Sequence, residues 1–517
     1  MAETPASRGI PVPLAGLAGV ASVALGAGLS ELVARMVAPA SSPFATVGGA
    51  LIDAAPKWAK DTAIALFGTA DKIALIVGIV IVVVALAALA GWLESRRPPW
   101  GSIVIAVFGA AGAIVAMTRP EASAPSWLPG VVAGAVGVFT LRMLIRMLRP
   151  AAPEEAEPTA PNRRAFLLWS AGAVVVGIAA AAAGGIRTAG TAAVDAVRRA
   201  LRLPAAAVTA PAIPAGAELG IAGLAPVITP NESFYRIDTA LIVPEIDPAD
   251  WSLRIFGMVE NEVTLSWDEL LALPLEESVT TLACVSNTVG GDLIGNALWL
   301  GYPIRELLAR ANPTAGADMV LSTSQDGFTA STPIEALTDD RNAILAVGMN
   351  GEPLPLPHGF PVRMVVPGLY GYVSATKWVV SLEVTRFDQA RAYWSDRGWS
   401  ERGPVKLQSR IDVPRHQQGL RAGDTVIAGV AWQQHVGVSG VEVQIDEGPW
   451  QQAELATAIS DDTWVQWSLP WTATTGDHVI RSRATSTDGE TQTEERTTVA
   501  PDGATGWHER FVQVFEA

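Results

Sequence analysis

Cysteine is almost missing: Cys284 is the single one in 517 residues. No disulfide can form within the chain, and a structural zinc site or an iron–sulfur cluster would need thiolates that do not exist. Histidine is scarce as well. All five lie at or after His358, so the first part of the chain has no pair to hold a haem, and there is no Cys-x-x-Cys-His attachment site. Basic residues are outnumbered, 36 Lys and Arg against 51 Asp and Glu, for a formal net charge of −15. That balance argues against nucleic acid, whose binding needs a basic face. The charges are also unevenly spread: arginines cluster in the first 202 residues and acids dominate the rest, which points to two environments.

What the chain does have is apolar length. Mean hydropathy is +0.30, and the excess sits in residues 10–30, 73–93, 100–118, a run from Trp127 past Leu141, and 165–186. Each is near the ~20 residues a helix needs to cross a bilayer, and their Ala and Gly content suits close packing in lipid. Residues 43–69 carry Lys57, Lys60 and Asp61 and read as an interfacial or extracytoplasmic connection. Five spans put the loops with Arg96 and Arg97, and with Arg142, Arg146, Arg149, Arg163 and Arg164, on the cytoplasmic side. Everything after Ile186 then lies outside. The motif Asn162-Arg163-Arg164-Ala165-Phe166-Leu167 is similar to a twin-arginine export signal and equally reads as a positive-inside flank.

After the apolar region the texture changes twice. Residues 150–161 form a Pro-rich linker, 191–203 suit a short helix with Arg198, Arg199 and Arg202, and 204–230 read as a stalk. From Asn231 the pattern mixes helix (267–273, 304–310) with strand (319–323, 362–366). Beyond Gly403 it is all β: Val441, Val443 and Ile445 alternate with Glu442, Gln444 and Asp446, a half-buried strand. Strands at roughly ten-residue spacing predict an immunoglobulin-like sandwich. The expected divisions are a transmembrane region at 1–190, a stalk at 191–230, a mixed domain at 231–402 and a sandwich at 403–517.

An isolated cysteine is most often a buried apolar filler. A single thiolate can also ligate one soft, high-valent metal whose other ligands come from a cofactor. Ordered blocks around Cys284 favour the second reading. They are Phe234-Tyr235-Arg236-Ile237-Asp238; Thr281 to Asn287 with Gly295 to Trp299; Met349 to Pro355; His358-Gly359-Phe360-Pro361-Val362-Arg363; and Ser374-Ala375-Thr376-Lys377-Trp378. Together with Tyr393-Trp394 and Gly429 to Trp432, they make residues 225–517 resemble the sulfite oxidase family of molybdopterin-dependent oxidoreductases, in its membrane-anchored bacterial type. That family also includes the catalytic subunit of periplasmic methionine-sulfoxide reductase.

The resemblance implies a multi-domain chain: a transmembrane helical bundle, an α+β molybdopterin domain and an all-β dimerisation domain. It implies molybdenum on a single pterin, bonded to Cys284. Phe234, Tyr235, Arg236, Asp238, His358, Arg363, Ser374, Ala375, Thr376, Lys377 and Trp378 would hold the cofactor, Arg and Lys being suited to phosphate. Asp238 stands where sulfite oxidases have histidine. Asn287, Phe328 and His435 would face the reaction. Thr288-Val289 stand where sulfite oxidases have two arginines, and Phe328 where they have tyrosine. An arginine expected from the carboxy-terminal domain is replaced by His435 in a nearby loop. Sulfite would lack its cationic donors, so a small S- or N-oxide is the expected substrate, with an external one-electron carrier (a cytochrome or membrane redox partner), the lipid bilayer and a second copy as partners. A conventional sulfite oxidase and a non-catalytic receptor or scaffold are the alternatives.

Replacing Arg163 and Arg164 by lysine should retain the following domain on the cytoplasmic side. Protease accessibility of a tag at Ala517 reads this out, and unchanged delivery removes the twin-arginine reading.

Overall fold

The computed structural model describes residues 10–38, 41–54, 62, 71–119, 122–149, 163–185, 189–240, 243–416 and 418–516. The expected linker at 150–161, Asn162 and most of 55–70 lie outside the described residues. The chain divides into two compact units, Met1–Ala192 and Ala193–Ala517.

The first unit is helical: α1 (Val12–Val37), α2 (Pro43–Ala54), α3 (Asp71–Arg96), α4 (Trp100–Met117), α5 (Leu128–Leu148) and α6 (Arg163–Gly185). All except α2 are long and apolar enough to cross a bilayer; α2, with 12 residues, is too short. Helix α1 packs against α3, α5 and α6. Small residues let the backbones touch: a Cβ on Gly19 would fall 1.9 Å from the Ala87 carbonyl oxygen on α3, and one on Gly28 2.0 Å from that of Gly177 on α6. Packing of this kind holds helices together where burial from water contributes nothing. The outer faces stay apolar, with Val80, Ile81 and Val82 of α3 and Phe139 of α5 exposed. Inward carboxylates find donors. Glu31 accepts from Ser42 Oγ at 2.8 Å and from the Phe44 N–H at 2.9 Å, and Glu94 from the Ser102 N–H at 2.8 Å.

Helix α7 (Ala189–Ala200) begins two residues before the expected helix and stops short of Arg202. Val194 is buried, and Arg198 pairs with Asp195 at 3.4 Å and donates to the Pro353 carbonyl at 3.1 Å.

The mixed part of the second unit has two sheets. Its elements in chain order are β1 (Ser252–Gly257), β2 (Val263–Ser266), α8 (Trp267–Leu271), β3 (Glu276–Ala283), β4 (Ile294–Pro303), α9 (Ile304–Ala311), β5 (Met319–Ser324) and β6 (Thr329–Pro333). Then follow β7 (Ile344–Met349), β8 (Glu352–Pro353), β9 (Arg363–Val365), α10 (Gly371–Ser374) and β10 (Val379–Thr385). Helix α8 starts on a capping box between Ser266 and Glu269, a local signal, and it ends two residues earlier than expected, ahead of Pro274. Helix α9 is closed by Asn312 in the left-handed region. One sheet runs β2-β1-β10-β5-β6. The other runs β3-β4-β7-β8 with β9 added beside β7. Strands β3 and β4 pair antiparallel from Glu276–Gly301 to Ala283–Ile294, so residues 284–293 form the loop at the end of this hairpin, with Cys284 as its first residue.

The all-β part packs two sheets. Strands β11 (Gln408–Val413), β13 (Gly423–Trp432), β17 (Val465–Ala473) and β16 (Glu454–Leu455) form one. Strands β12 (Gly419–Arg421), β19 (His508–Phe515), β18 (Gly476–Ser486), β14 (Val438–Ile445) and β15 (Gln451–Gln452) form the other. Between them lie Ile411, Ile427, Val441, Val443, Trp467 and Ile480. The alternation read in β14 is a core-facing row, and its outward Glu442 pairs with Arg483 at 2.8 Å.

Residues 204–230 are not a free stalk. They form an extended strap laid across the second unit. The Ala207 N–H donates to Leu275 O, the Glu277 N–H to Val208 O and the Thr229 N–H to Asn296 O, at 2.7–2.8 Å. Buried Asn296 and Trp464 both donate to Val227 O, at 2.8 and 3.0 Å. Gln466 accepts from the Leu219 N–H at 2.7 Å and donates to Ala225 O at 2.8 Å. Proline and alanine carry no pattern from which this pairing follows, because the partners, backbone groups and the Asn296, Trp464 and Gln466 side chains, are presented only by the folded domain.

Replacing Gln466 by leucine orphans the Leu219 N–H and the Ala225 carbonyl. It should lower unfolding stability by about 2–4 kcal/mol, measured by urea denaturation; an unmoved midpoint would mean that the strap is not bound.

Candidate functional site

Cys284 leaves β3 into a loop that ties itself shut. Its N–H donates to Leu293 O at 2.9 Å, and the Asn287 N–H donates back to Cys284 O at 3.0 Å. Asn287 is buried, and its Oδ1 accepts from the Leu293 N–H at 3.0 Å. Its amide oxygen thereby clasps the loop. Cys284 is buried, and the Ser286 N–H points at its sulfur from 3.4 Å. Burial pushes the thiol pKa up, while the Ser286 N–H and the positive charge of Lys377 pull the other way.

Beside the thiol the fold gathers cations. Arg363 on β9 is buried; its guanidinium donates to His358 O at 3.1 Å and Met364 O at 3.3 Å, and lies 5.1 Å from the Trp299 ring centre. No carboxylate pairs with it among the described residues. Burial lowers its pKa to about 10. Lys377, bridged to Arg363 through the backbone, donates to Asp238 at 2.9 Å and to Pro357 O at 3.0 Å. Burial holds Lys377 down at about 8, with Asp238 opposing and Arg363 adding to the shift. Arg236 reaches the same Asp238 oxygen at 2.9 Å. His358 is pushed to about 4, by burial first and then by Arg363 and Lys377. It is therefore neutral at pH 7, and its Nε2 is 3.1 Å from Asn231 O, which fixes the proton on Nε2.

Aromatic rings wall this cluster. Phe234 stacks on Tyr235 at 5.2 Å and meets Trp299 and His358 edge-on at 5.7 and 5.6 Å. Burial, followed by the neighbouring Cys284, drives the Tyr235 phenol far above its ordinary range, so it stays protonated. Trp378 adopts φ 51, and its buried Nε1 finds no hydrogen-bond partner among the described residues. Two cations sharing Asp238, with Arg363 and an unmatched indole N–H beside them, make a place that fits an anionic, hydrogen-bonding group such as a phosphate-bearing cofactor.

The other expected residues behave differently. Ser374 and Thr376 are fully buried, and their hydroxyls are committed, Ser374 to Tyr370 O at 3.0 Å and Thr376 to Ser322 Oγ at 2.7 Å. Ala375 contributes its carbonyl, 3.5 Å from Arg363 Nη2. The Phe328 ring packs on Tyr393 at 5.8 Å, and Arg397 covers Tyr393 at 3.5 Å. His435, at φ 68, pairs with Asp462 at 3.1 Å. The Thr281 N–H, three residues before the thiol, donates to Asp462 O.

Sequence reasoning missed Arg410. It comes from the sandwich and donates to the Gly291 carbonyl in the thiol loop at 3.0 Å. Its one signal in the sequence is an arginine two residues before an acid, Asp412, on the face of β11 opposite the core residue Ile411.

Residues 240–394 match the family model described as "Oxidoreductase molybdopterin binding domain". Mitochondrial sulfite oxidase of Rattus norvegicus is 30% identical over 271 residues, 44% of this chain and 49% of that protein. The protein-methionine-sulfoxide reductase catalytic subunit MsrP of Campylobacter jejuni is 29% identical over 208 residues, 36% of this chain and 68% of its own. The crystal structure of the sulfane dehydrogenase SoxCD from Paracoccus pantotrophus aligns at 24% identity and a TM-score of 0.49, over 56% of this chain and 81% of that one. The chain thus contains a molybdopterin-binding oxidoreductase domain, and it spans about half the length of the sulfite oxidase it matches.

Asp238→Asn should destabilise the cofactor-free protein by about 1–3 kcal/mol at pH 7, because Lys377 loses its counter-charge. The Lys377 pKa is already below its unfolded value of 10.5, so its charge penalty is full below about pH 8 and fades as pH rises toward 10.5. Denaturation at pH 7 and pH 10 should show the larger loss at pH 7.

Proposed function

We propose that this chain is a membrane-anchored, extracytoplasmic oxidoreductase that exchanges an oxygen atom with a small S- or N-oxide-type substrate at molybdenum carried by a single pterin. The observation that carries the reading is one buried thiol, Cys284, beside the cluster of Arg236, His358, Arg363 and Lys377. Cys284 would bind the metal. Arg236, Arg363, Lys377 and the Trp378 indole would hold the pterin and its phosphate, with Phe234 and Tyr235 packed at its side. When bound, the cofactor supplies two-electron oxygen transfer with one-electron exchange to a carrier.

The chain's own residues prepare that site. The Ser286 N–H at 3.4 Å offsets charge on the sulfur. Tyr235 keeps its proton and so remains a donor. His358 stays neutral, which limits repulsion among the cations while its ring wedges Phe234 in place. Thr288, Val289 and Phe328 give a neutral lining. A divalent oxyanion entering such a lining loses water without cationic replacement, whereas a sulfoxide needs only one donor for its oxygen. Arg410 does not replace the missing cations, since its guanidinium is already held by Asp412 at 2.6 Å.

The five apolar helices support anchoring, and the arginine-rich connections support an outside location for the second unit, with Arg163-Arg164 as the export motif. The two-sheet sandwich is read as immunoglobulin-like and as the surface through which two copies pair, leaving a cytochrome or membrane carrier to exchange electrons. The conventional sulfite oxidase reading draws on the rat relative and is weakened by Thr288, Val289 and Phe328.

Purified, molybdenum-loaded enzyme should oxidise a reduced viologen with dimethyl sulfoxide, methionine sulfoxide or trimethylamine N-oxide, and Cys284→Ser should abolish both turnover and the thiolate-to-metal absorption. Sulfite oxidation at micromolar substrate and roughly 1–1000 turnovers per second would make it a conventional sulfite oxidase. Absence of molybdenum from protein made in a competent host would leave only the scaffold reading.

A further inference from the structure

The sandwich grips the thiol hairpin on both sides of Cys284. Before it, the Thr281 N–H donates to Asp462 O at 3.0 Å, Gln434 Nε2 donates to Thr281 O at 3.2 Å, and the Trp464 N–H donates to Thr281 Oγ1 at 2.9 Å. After it, the contacts fall on one turn. The Gly291 N–H donates to Thr288 O at 2.8 Å, which makes Thr288 to Gly291 a β-turn with Val289 and Gly290 at its centre. Gly290 has φ +75, the value that the third residue of a type II turn requires. The His508 ring from β19 lies against it, so that a Cβ on Gly290 would fall 2.2 Å from Nε2. Nδ1 of the same ring accepts from the Ile411 N–H at 2.8 Å, which orients it. One residue along, Arg410 from β11 donates to Gly291 O at 3.0 Å while Asp412 holds the rest of its guanidinium.

We propose that Arg410 and His508 are positioning residues, which through Gly290 and Gly291 set where Thr288 and Val289 stand beside the substrate. Neither residue touches the thiol. Asp412 neutralises the charge of Arg410, so what Arg410 adds at the turn is direction: a fork pinned at one end that points at one carbonyl. The His508 ring acts from the other side as a wall that only glycine can approach. The sandwich thereby shapes the pocket of the neighbouring domain through the backbone of its thiol loop. This rests on the proposed function for the meaning of Thr288 and Val289, but the clasp itself can be measured without the cofactor.

The test uses the full-length protein with and without molybdenum. Arg410→Ala and His508→Ala should each raise hydrogen–deuterium exchange across 284–296 by about tenfold or more, with no change across 319–324. In loaded enzyme the KM for dimethyl sulfoxide should rise at least about fivefold, while kcat and molybdenum content move little. Arg410→Lys, which can reach either Asp412 or Gly291 but not hold both, should recover part of the KM. Gly290→Ala should reproduce the KM rise, and adding His508→Ala to it should cost less than the two effects combined. Unchanged loop exchange in both alanine variants overturns the proposal, as does a KM rise that tracks lost molybdenum or strict additivity of Gly290→Ala with His508→Ala. A wild-type protein that never binds molybdenum defeats the functional reading instead, and the exchange data on the cofactor-free protein still decide the clasp.

Discussion

Positive charge buried next to a lone thiol is the constraint on which the second unit is organised. Arg363 and Lys377 are each about nine-tenths covered or more, and Asp238 serves Lys377 and Arg236 while Arg363 has only carbonyl partners. Such groups lose water on folding, and their attraction to one carboxylate does not restore it. The fold answers with backbone: His358 O, Met364 O and Pro357 O accept what the carboxylate cannot. It also holds His358 neutral. What remains is a surplus of positive field in a low-dielectric wall, the setting in which an anionic group gains most. The departure at Asp238 fits this picture, because a carboxylate there moderates the field that a histidine would leave stronger.

The first unit solves the opposite problem. Its helices carry apolar side chains outward and glycines inward, an arrangement that suits close backbone contact in an apolar medium. Gly19 against Ala87 and Gly28 against Gly177 are approaches that no side chain survives. Glu31 on α1 and Glu94 on α3 accept from the Phe44 and Ser102 N–H groups in the first turns of α2 and α4, which lack helical partners, and so cap those helices.

The strap and the sandwich change how the molecule divides. Residues 204–230 look like a linker by composition, yet their backbone joins β3, β4 and β17. Asp412 receives the Ala225 N–H at 3.1 Å while it holds Arg410, so the strap, the sandwich and the thiol loop share one polar network. Motion of any one of them would be felt at Gly291.

Local patterns determined much of this protein directly. Apolar runs of membrane length marked five helices, alternation marked β14, and the run from Trp267 marked α8. Uniqueness singled out Cys284, and the motif around it named the cations that the fold does bring together. Where a side chain turns was not legible: Asn287 Oδ1 takes the Leu293 N–H, Ser374 Oγ meets Tyr370 O and Thr376 Oγ1 meets Ser322 Oγ. The strap and the clasp were out of reach for a different reason. Arg410 and Gly291 are 119 positions apart and His508 and Ile411 are 97, and contacts at such separations leave no periodicity in either segment. Chemistry that resides in residue type and short spacing was determined by the sequence itself. Which groups face one another was decided only by the tertiary structure, because hydrogen-bond direction and burial exist only once distant strands are packed.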